Sequence, residues 1–121
     1  MTALRVGIAG LGTVGGGLFK LLQQQGRTIE ARCGVPIVVT AVSARNQSQQ
    51  RSFDVENLVW HDNAASLARD ENVDVVCELI GGSDGISLEL CVSALEAGKH
   101  VVTANKALMA IHGSTLAQKA E

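Results

Sequence analysis

Short apolar runs alternate along this chain with stretches whose apolar residues recur every three or four positions. The runs are rich in β-branched residues and predict buried strands, whereas the wider spacing predicts helices. The run over 73–82 is nearly continuous in apolar residues, as expected of a strand covered on both faces. The predicted strands cover 4–9, 36–42, 58–61, 73–82 and 100–105.

Helices are expected between these strands, with a polar, aperiodic loop over 44–57. Glycine and small polar residues mark the expected helix ends. The predicted helices cover 13–22 with a stop at Gly26, 63–71, 83–100 with Ser83 or Asp84 as cap and Gly98 as stop, and 106–121 with a break at Gly113 and a second cap at Ser114. Strands that alternate with helices predict a parallel sheet with right-handed crossovers. The expected fold class is α/β, a Rossmann-like doubly wound parallel sheet in three α/β/α layers.

Composition agrees with a single globular domain over residues 1–121. The chain is 46% hydrophobic and 18% charged, and its net charge of −2 argues against nucleic acid or an anionic membrane as partner. No apolar stretch approaches the roughly 20 residues of a membrane span, and the N-terminus lacks the features of a secretory signal. The three cysteines have no metal-ligand spacing, so we expect reduced thiols, no metal site and a cytoplasmic protein.

The stretch GIAGLGTVGGG, residues 7–17, carries the strongest chemical signal. Gly10, Gly12 and Gly15 fit G-x-G-x-x-G between a predicted strand and a predicted helix, which is the context this motif requires. The first glycine permits the tight turn, the second lets the backbone approach a pyrophosphate, and the third lets the helix lie close to the strand. The alternative is a glycine-rich turn without a ligand. No GK[ST] follows, which excludes a Walker-type phosphate site.

Further candidates follow the carboxyl ends of later strands, where parallel sheets bind ligands. Arg45 lies at the end of the second predicted strand, where an acidic residue usually holds the ribose 2′-hydroxyl. An arginine there suits a 2′-phosphate, so we expect NADP to be accepted, and the predicted cofactor is NADP or NAD. A solvated loop arginine is the competing interpretation. Gly81 and Gly82 leave room for the nicotinamide ribose. Lys106 directly follows a strand end and is a candidate for holding a substrate carboxylate or hydroxyl, or for proton transfer, although most lysines are solvated surface charges.

Glu78 interrupts the most apolar strand. A buried carboxylate must be paired or hydrogen-bonded. Structural pairing with backbone or with a neighbouring lysine is favoured over catalysis at this position.

Three stretches together resemble a known family. GLGTVGGG (10–17), ELIGG (78–82) and ALEAGKHVVTANKALMAIHG (94–113) are similar to the N-terminal, cofactor-binding part of homoserine dehydrogenase. The similarity spans almost the whole chain in order and spacing. It implies a Rossmann-like domain followed, beyond Glu121, by a catalytic and dimerisation domain. It also implies interconversion of L-homoserine and L-aspartate 4-semialdehyde with NAD(P)(H), in threonine, methionine and isoleucine biosynthesis.

The same resemblance implies roles for individual residues. Gly12, Thr13 and Val14 are expected to contact the cofactor, Gly81 and Gly82 to lie beside its nicotinamide end, and Lys106 to be functional near cofactor and substrate. The predicted cofactor-binding residues are Gly10, Leu11, Gly12, Thr13, Val14, Gly15, Arg45, Gly81, Gly82, Thr103, Asn105 and Lys106, and the predicted catalytic residue is Lys106. This chain alone is expected to bind nucleotide and to catalyse little, and the full-length protein to be a homo-oligomer.

Two other functions stay open from the sequence. One is another nicotinamide-dependent amino-acid or sugar dehydrogenase with the same cofactor domain. The other is a non-enzymatic module that senses NAD(P)H.

Overall fold

The structure, a computed structural model, describes residues 3–44, 58–80 and 85–121. Strands and helices alternate through these ranges, as the hydrophobic pattern predicts. The elements are β1 (Leu4–Ala9), α1 (Thr13–Gln24), α2 (Gly26–Cys33), β2 (Ile37–Ser43), β3 (Val59–Trp60), a 3₁₀ helix (Ala64–Arg69), β4 (Val75–Glu78), α3 (Ile86–Glu96), β5 (His100–Thr103) and α4 (Lys106–Ala120).

The five strands form one parallel sheet in the order β3-β2-β1-β4-β5. The chain first builds outward from β1 to β2 and β3, and then crosses back to place β4 on the other side of β1. This reversal makes β1 and β4 the topological switch point, and ligands of such sheets bind outside the carboxyl ends of the strands there. The predicted Rossmann-like parallel sheet is confirmed.

Apolar side chains cover both faces of the sheet, which gives the three predicted layers. Neighbouring residues of β1 point to opposite faces. Ile8 packs with Phe19 of α1 on one face, whereas Ala9 packs with Leu67 of the 3₁₀ helix and Leu90 of α3 on the other. The helix α4 lies on α3 through a small cluster of its own, formed by Cys91, Leu108 and Leu116.

Several predicted boundaries were wrong, and the last helix shows why. Gly113 does not break α4, which runs continuously from Lys106 to Ala120 without a second cap at Ser114. Leu108 and Leu116 are buried on either side of Gly113. A glycine costs about 1 kcal/mol inside a helix. Burying leucines on both sides offsets that cost, so packing overrides local propensity.

The other differences lie at helix and strand ends. Helix α2 was not predicted. Gly26, the predicted stop of α1, is instead the first residue of α2. The helix ends at Gly34, which has the left-handed conformation at φ 84°. Helix α3 begins at Ile86, and its N-cap is Gly85, whereas the predicted caps were Ser83 and Asp84. These two residues lie outside the described ranges, as do 81–82 and most of the predicted loop over 44–57. Strand β4 is shorter than its apolar run and ends at the buried carboxylate of Glu78.

Two further structural facts concern the helices and the cysteines. No helix in the described part of the chain is long and apolar enough to cross a bilayer. All three cysteines are free thiols, with Cys33 exposed and Cys77 and Cys91 buried.

Candidate functional site

The candidate site lies at the carboxyl edge of the sheet, where the ends of the neighbouring strands β2, β1, β4 and β5 lie side by side. The Gly10 N–H donates to the carbonyl of Ser43 at 2.7 Å, which joins the turn after β1 to the end of β2. The Leu79 N–H donates to the carbonyl of Ala9 at 2.9 Å, which joins the segment after β4 to the end of β1. The glycine turn is therefore fixed from both sides by backbone hydrogen bonds.

Gly10 and Gly15 are required by the backbone around them. Gly10 has φ +95°, a conformation that L side chains rarely adopt, and a Cβ there would lie 2.8 Å from the carbonyl oxygen of Leu79. A Cβ on Gly15 would lie 1.7 Å from the carbonyl oxygen of Gly10. The first glycine thus makes the turn and the third lets α1 approach β1, as predicted.

Gly12 differs from both, because a Cβ there would meet no atom within 4 Å. The fold itself does not require a glycine at this exposed position. Gly12 is the N-cap of α1, offers no side-chain hydrogen bond, and is followed by no acidic residue in the first turn. The first N–H groups of an α-helix have no partner within the helix and lie at the positive end of its dipole. The turn is therefore a cradle that fits an anionic diphosphate, which a Cβ on Gly12 would partly fill.

The residues between these glycines are presented differently. Leu11 is buried in the core, so only its backbone faces the turn. Val14 is exposed in the first turn of α1. Thr13 contributes its backbone as the first residue of the helix.

The end of β4 is connected to the end of β5 by side-chain hydrogen bonds. Glu78 is fully buried, and its carboxylate accepts hydrogen bonds from the Ile80 N–H and the Thr103 hydroxyl, both at 2.8 Å. The predicted pairing with backbone is confirmed, and a threonine hydroxyl is a further partner. The pKa of the Cys91 thiol is raised to about 11, mainly by burial and secondly by the charge of Glu78.

Asn105 and Lys106 lie at the start of α4. The Asn105 side chain caps this helix by accepting a hydrogen bond from the Leu108 N–H at 3.0 Å, and the Asn105 N–H donates to the Thr103 hydroxyl oxygen at 3.0 Å. Lys106 is the first residue of the helix and is exposed. A cation at the positive end of a helix dipole is unfavourable for the helix, so helix stability does not account for a lysine there.

The structure thus brings the glycine turn and the segment 103–106 to the same edge of the sheet, because β1 and β5 are parallel. Arg45, Gly81 and Gly82 lie outside the described residues.

The sequence did not indicate that Glu78 joins two of the edge segments. The signal was an acid in an apolar strand, but the pairing of Glu78 with Thr103 depends on the strand register. In the described ranges no group of three or more His, Cys, Asp or Glu side chains could hold a metal ion.

Comparison with known proteins agrees with this geometry. Residues 10–121 match the family model described as homoserine dehydrogenase, NAD binding domain. The chain is 43% identical over 110 residues to homoserine dehydrogenase of Methylobacillus glycogenes, covering 91% of this chain and 26% of that protein. It is 40% identical over 121 residues to the Bacillus subtilis enzyme, covering 100% of this chain and 28% of that protein. The chain therefore spans little more than a quarter of the length of these relatives.

Solved structures give the same result. The homoserine dehydrogenase of Thiobacillus denitrificans superposes with a TM-score of 0.87 at 37% identity, over 99% of this chain and 27% of that chain. The S. aureus enzyme at pH 6.5 superposes with a TM-score of 0.88 at 29% identity, over 99% of this chain and 30% of that chain. The observed parallel sheet, the glycine cradle and these similarities agree, and the chain belongs to the NAD-binding domain family of homoserine dehydrogenases.

Proposed function

We propose that residues 1–121 are the cofactor-binding domain of an enzyme that interconverts L-homoserine and L-aspartate 4-semialdehyde with NAD or NADP. The observation that carries this proposal is the contrast among the three glycines of the turn. Gly10 and Gly15 are explained by contacts within the protein, whereas the space beside Gly12 is open. A ligand that needs close approach to the backbone accounts for Gly12. A hyperthermophilic archaeal relative has been solved in complex with NADPH, but it is only 20% identical to this chain and supports the fold alone.

Each site residue has a role in this proposal. The N–H groups at the start of α1, over residues 10–15, would hold the diphosphate, and Arg45 would favour a 2′-phosphate. Gly81 and Gly82 would admit the nicotinamide ribose, and Thr103 and Asn105 would shape the neighbouring wall. The dinucleotide, when bound, supplies or accepts the hydride.

Lys106 is the residue that we assign to the chemistry. Lys106 is exposed at the start of α4, and the stability of that helix does not account for a lysine there. There it would hydrogen-bond the oxygen of the aldehyde and stabilise the negative charge that develops on that oxygen during reduction. The remaining substrate-binding and proton-transfer groups belong to a catalytic and dimerisation domain that follows Glu121. We further propose a cytoplasmic homo-oligomer that acts in threonine, methionine and isoleucine biosynthesis, with no nucleic acid or membrane partner.

The test is a calorimetric titration of this 121-residue chain with NADH and, separately, with NADPH. Gly12→Val is compared with Gly17→Val, because a Cβ meets no atom within 4 Å at either position. A charge-assisted hydrogen bond contributes about 1.5–3 kcal/mol, and every 1.4 kcal/mol is tenfold in affinity. Losing one or two such bonds should therefore weaken nucleotide binding by at least about tenfold in Gly12→Val. Gly17→Val should bind like the wild type.

Equal affinity of wild type and Gly12→Val, with both folded by circular dichroism, would contradict the assignment of the cradle. No binding of either nucleotide by the wild-type chain would contradict the proposed function itself. A preference for NADPH that is lost in Arg45→Ala would support the role of Arg45.

A further inference from the structure

The carboxylate of Glu78 lies at a junction that core packing alone does not explain. Its exposure is zero, and it follows three buried apolar residues of β4. An apolar side chain of similar volume would pack in such a position without the cost of removing a charge from water. The hydrogen bonds of the carboxylate therefore indicate what it does there.

The two carboxylate oxygens are used by two different segments of the site. Oε2 accepts from the backbone N–H of Ile80, in the segment that leaves β4 toward Gly81. Oε1 accepts from the hydroxyl of Thr103, the last residue of β5. A carboxylate only accepts hydrogen bonds, so it satisfies both donors at once. A glutamine offers one accepting oxygen and one donating NH₂, and so fits this pair of donors less well.

A chain of hydrogen bonds continues from Thr103 into α4. The Thr103 hydroxyl oxygen accepts from the Asn105 N–H at 3.0 Å. The Asn105 side chain then accepts from the Leu108 N–H at 3.0 Å and so fixes the first turn of the helix. Lys106 is the first residue of that turn. Three successive hydrogen bonds thus connect the buried carboxylate with the turn that carries the lysine.

We propose that Glu78 is a positioning residue, which holds Lys106 at the reacting oxygen through Thr103 and Asn105. This inference rests on the proposed function, because it requires Lys106 to act on the substrate. Glu78 itself is fully buried, so its proposed effect on the substrate is exerted through Thr103 and Asn105. Its removal should move the lysine without disturbing the diphosphate cradle, which is fixed by the backbone of Ser43 and Ala9.

The test is a double-mutant cycle in the full-length dehydrogenase, with kcat for homoserine oxidation as the readout. Displacing a positioned group by about 1 Å costs up to about 100-fold in rate, so Glu78→Gln should lower kcat by about 10- to 100-fold. The dissociation constant for the nucleotide should change by less than about threefold. In a Lys106→Ala background, Glu78→Gln should lower kcat further by less than about threefold, because the effects of two residues that act as a unit are not additive. The matched control is Glu30→Gln, because Glu30 is an exposed carboxylate on α2, and this variant should leave kcat unchanged.

A second variant covers the case in which Glu78→Gln does not fold. Thr103→Val removes the hydroxyl between Glu78 and Asn105 while keeping the side-chain shape, and it should show the same lack of additivity with Lys106→Ala. In either variant, the Leu108 amide should exchange its hydrogen faster with solvent by NMR, whereas the Leu116 amide, deeper in α4, should not.

The outcomes separate this inference from the proposed function. A wild-type kcat in Lys106→Ala would remove the lysine from the mechanism, whatever Glu78 does. A low kcat in Lys106→Ala together with an equal effect of Glu78→Gln in both backgrounds would overturn the positioning role alone. Unchanged exchange at Leu108 in a folded Glu78→Gln or Thr103→Val variant would also overturn it.

Discussion

Replacing Gly15 by alanine should damage the fold far more than any other single methyl added to the glycine turn. The new Cβ would lie 1.7 Å from the carbonyl oxygen of Gly10, whereas real Cβ atoms essentially never approach closer than 3.0 Å, so α1 or the turn must shift by about 1.3 Å. The obstacle is backbone and cannot rotate away. The Gly10 N–H is also bonded to the carbonyl of Ser43, which restricts movement of the turn.

The loss of stability follows from the packing contacts between α1 and the sheet that a shift of α1 would weaken. Phe19 of α1 is 2% exposed and packs against Ile8 and Val42 of the sheet. Dispersion contacts weaken by a quarter to a half when a gap of 0.5–1 Å opens. Overpacking of a core costs typically 1–3 kcal/mol and occasionally more. Because the clash here is between backbone atoms, we expect Gly15→Ala to lower the free energy of unfolding by about 3 kcal/mol or more.

Gly17→Ala is the matched control, since Gly17 lies in the same helix and a Cβ there meets no atom within 4 Å. Alanine is favoured over glycine inside a helix by about 0.5–1 kcal/mol, so this variant should be more stable than the wild type. For a domain of this size 1 kcal/mol corresponds to about 3–5 °C in Tm. Thermal unfolding followed by circular dichroism should show a fall of at least about 10 °C for Gly15→Ala and a small rise for Gly17→Ala. A Tm for Gly15→Ala within about 2 °C of the wild type would refute the close approach of α1 to β1.

Two further predictions concern an ion pair and the cysteine thiols. The Arg5 side chain, and then its backbone N–H, hydrogen-bond Asp74 and lower the pKa of that carboxyl to about 2. The stabilisation is therefore present above the unfolded-state pKa of about 3.9 and is lost as pH falls toward 2. Both side chains are more than one third exposed, so Asp74→Asn should cost no more than about 1 kcal/mol at pH 7, and in urea unfolding the difference from wild type should shrink as pH falls through 2. The second prediction is that Ellman's reagent at pH 8 titrates the exposed Cys33 rapidly, whereas Cys77 and Cys91, whose pKa values burial raises, react only after denaturation. Fast reaction of all three thiols in the folded chain would contradict the described packing.

The sequence was most informative where local chemistry decides the structure. The strand–glycine turn–helix unit over 4–24 could be predicted because Gly10 and Gly15 are demanded by backbone conformation and close approach, which depend on neighbours in the sequence. The parallel sheet followed from the alternation of elements. The prediction that Glu78 is structurally paired also held, because burying a carboxylate in an apolar strand leaves few alternatives.

The wrong predictions lie where contacts between residues far apart in the sequence decide the structure. The break at Gly113 was predicted from helix propensity, and the burial of Leu108 and Leu116 against α3 overrides it. Helix α2 has no buried residues, so the hydrophobic pattern gave no sign of it. Its glycine at position 34 and the basic Arg32 in its last turn were the available signals for its end.

The candidate site combines these two kinds of information. Gly12 and Lys106 could each be proposed as site residues from the sequence, but the contacts that support both segments could not. The carbonyl of Leu79 limits Gly10 to a glycine, and the Leu79 N–H holds the end of β1. The residue before it, Glu78, holds the end of β5 through Thr103. The carboxyl end of β4 therefore braces both the proposed diphosphate cradle and the segment with the proposed catalytic lysine. A buried acid at the end of a central strand is thus best understood by the two segments it joins, because an apolar residue there would take this acceptor from the Ile80 N–H and the Thr103 hydroxyl.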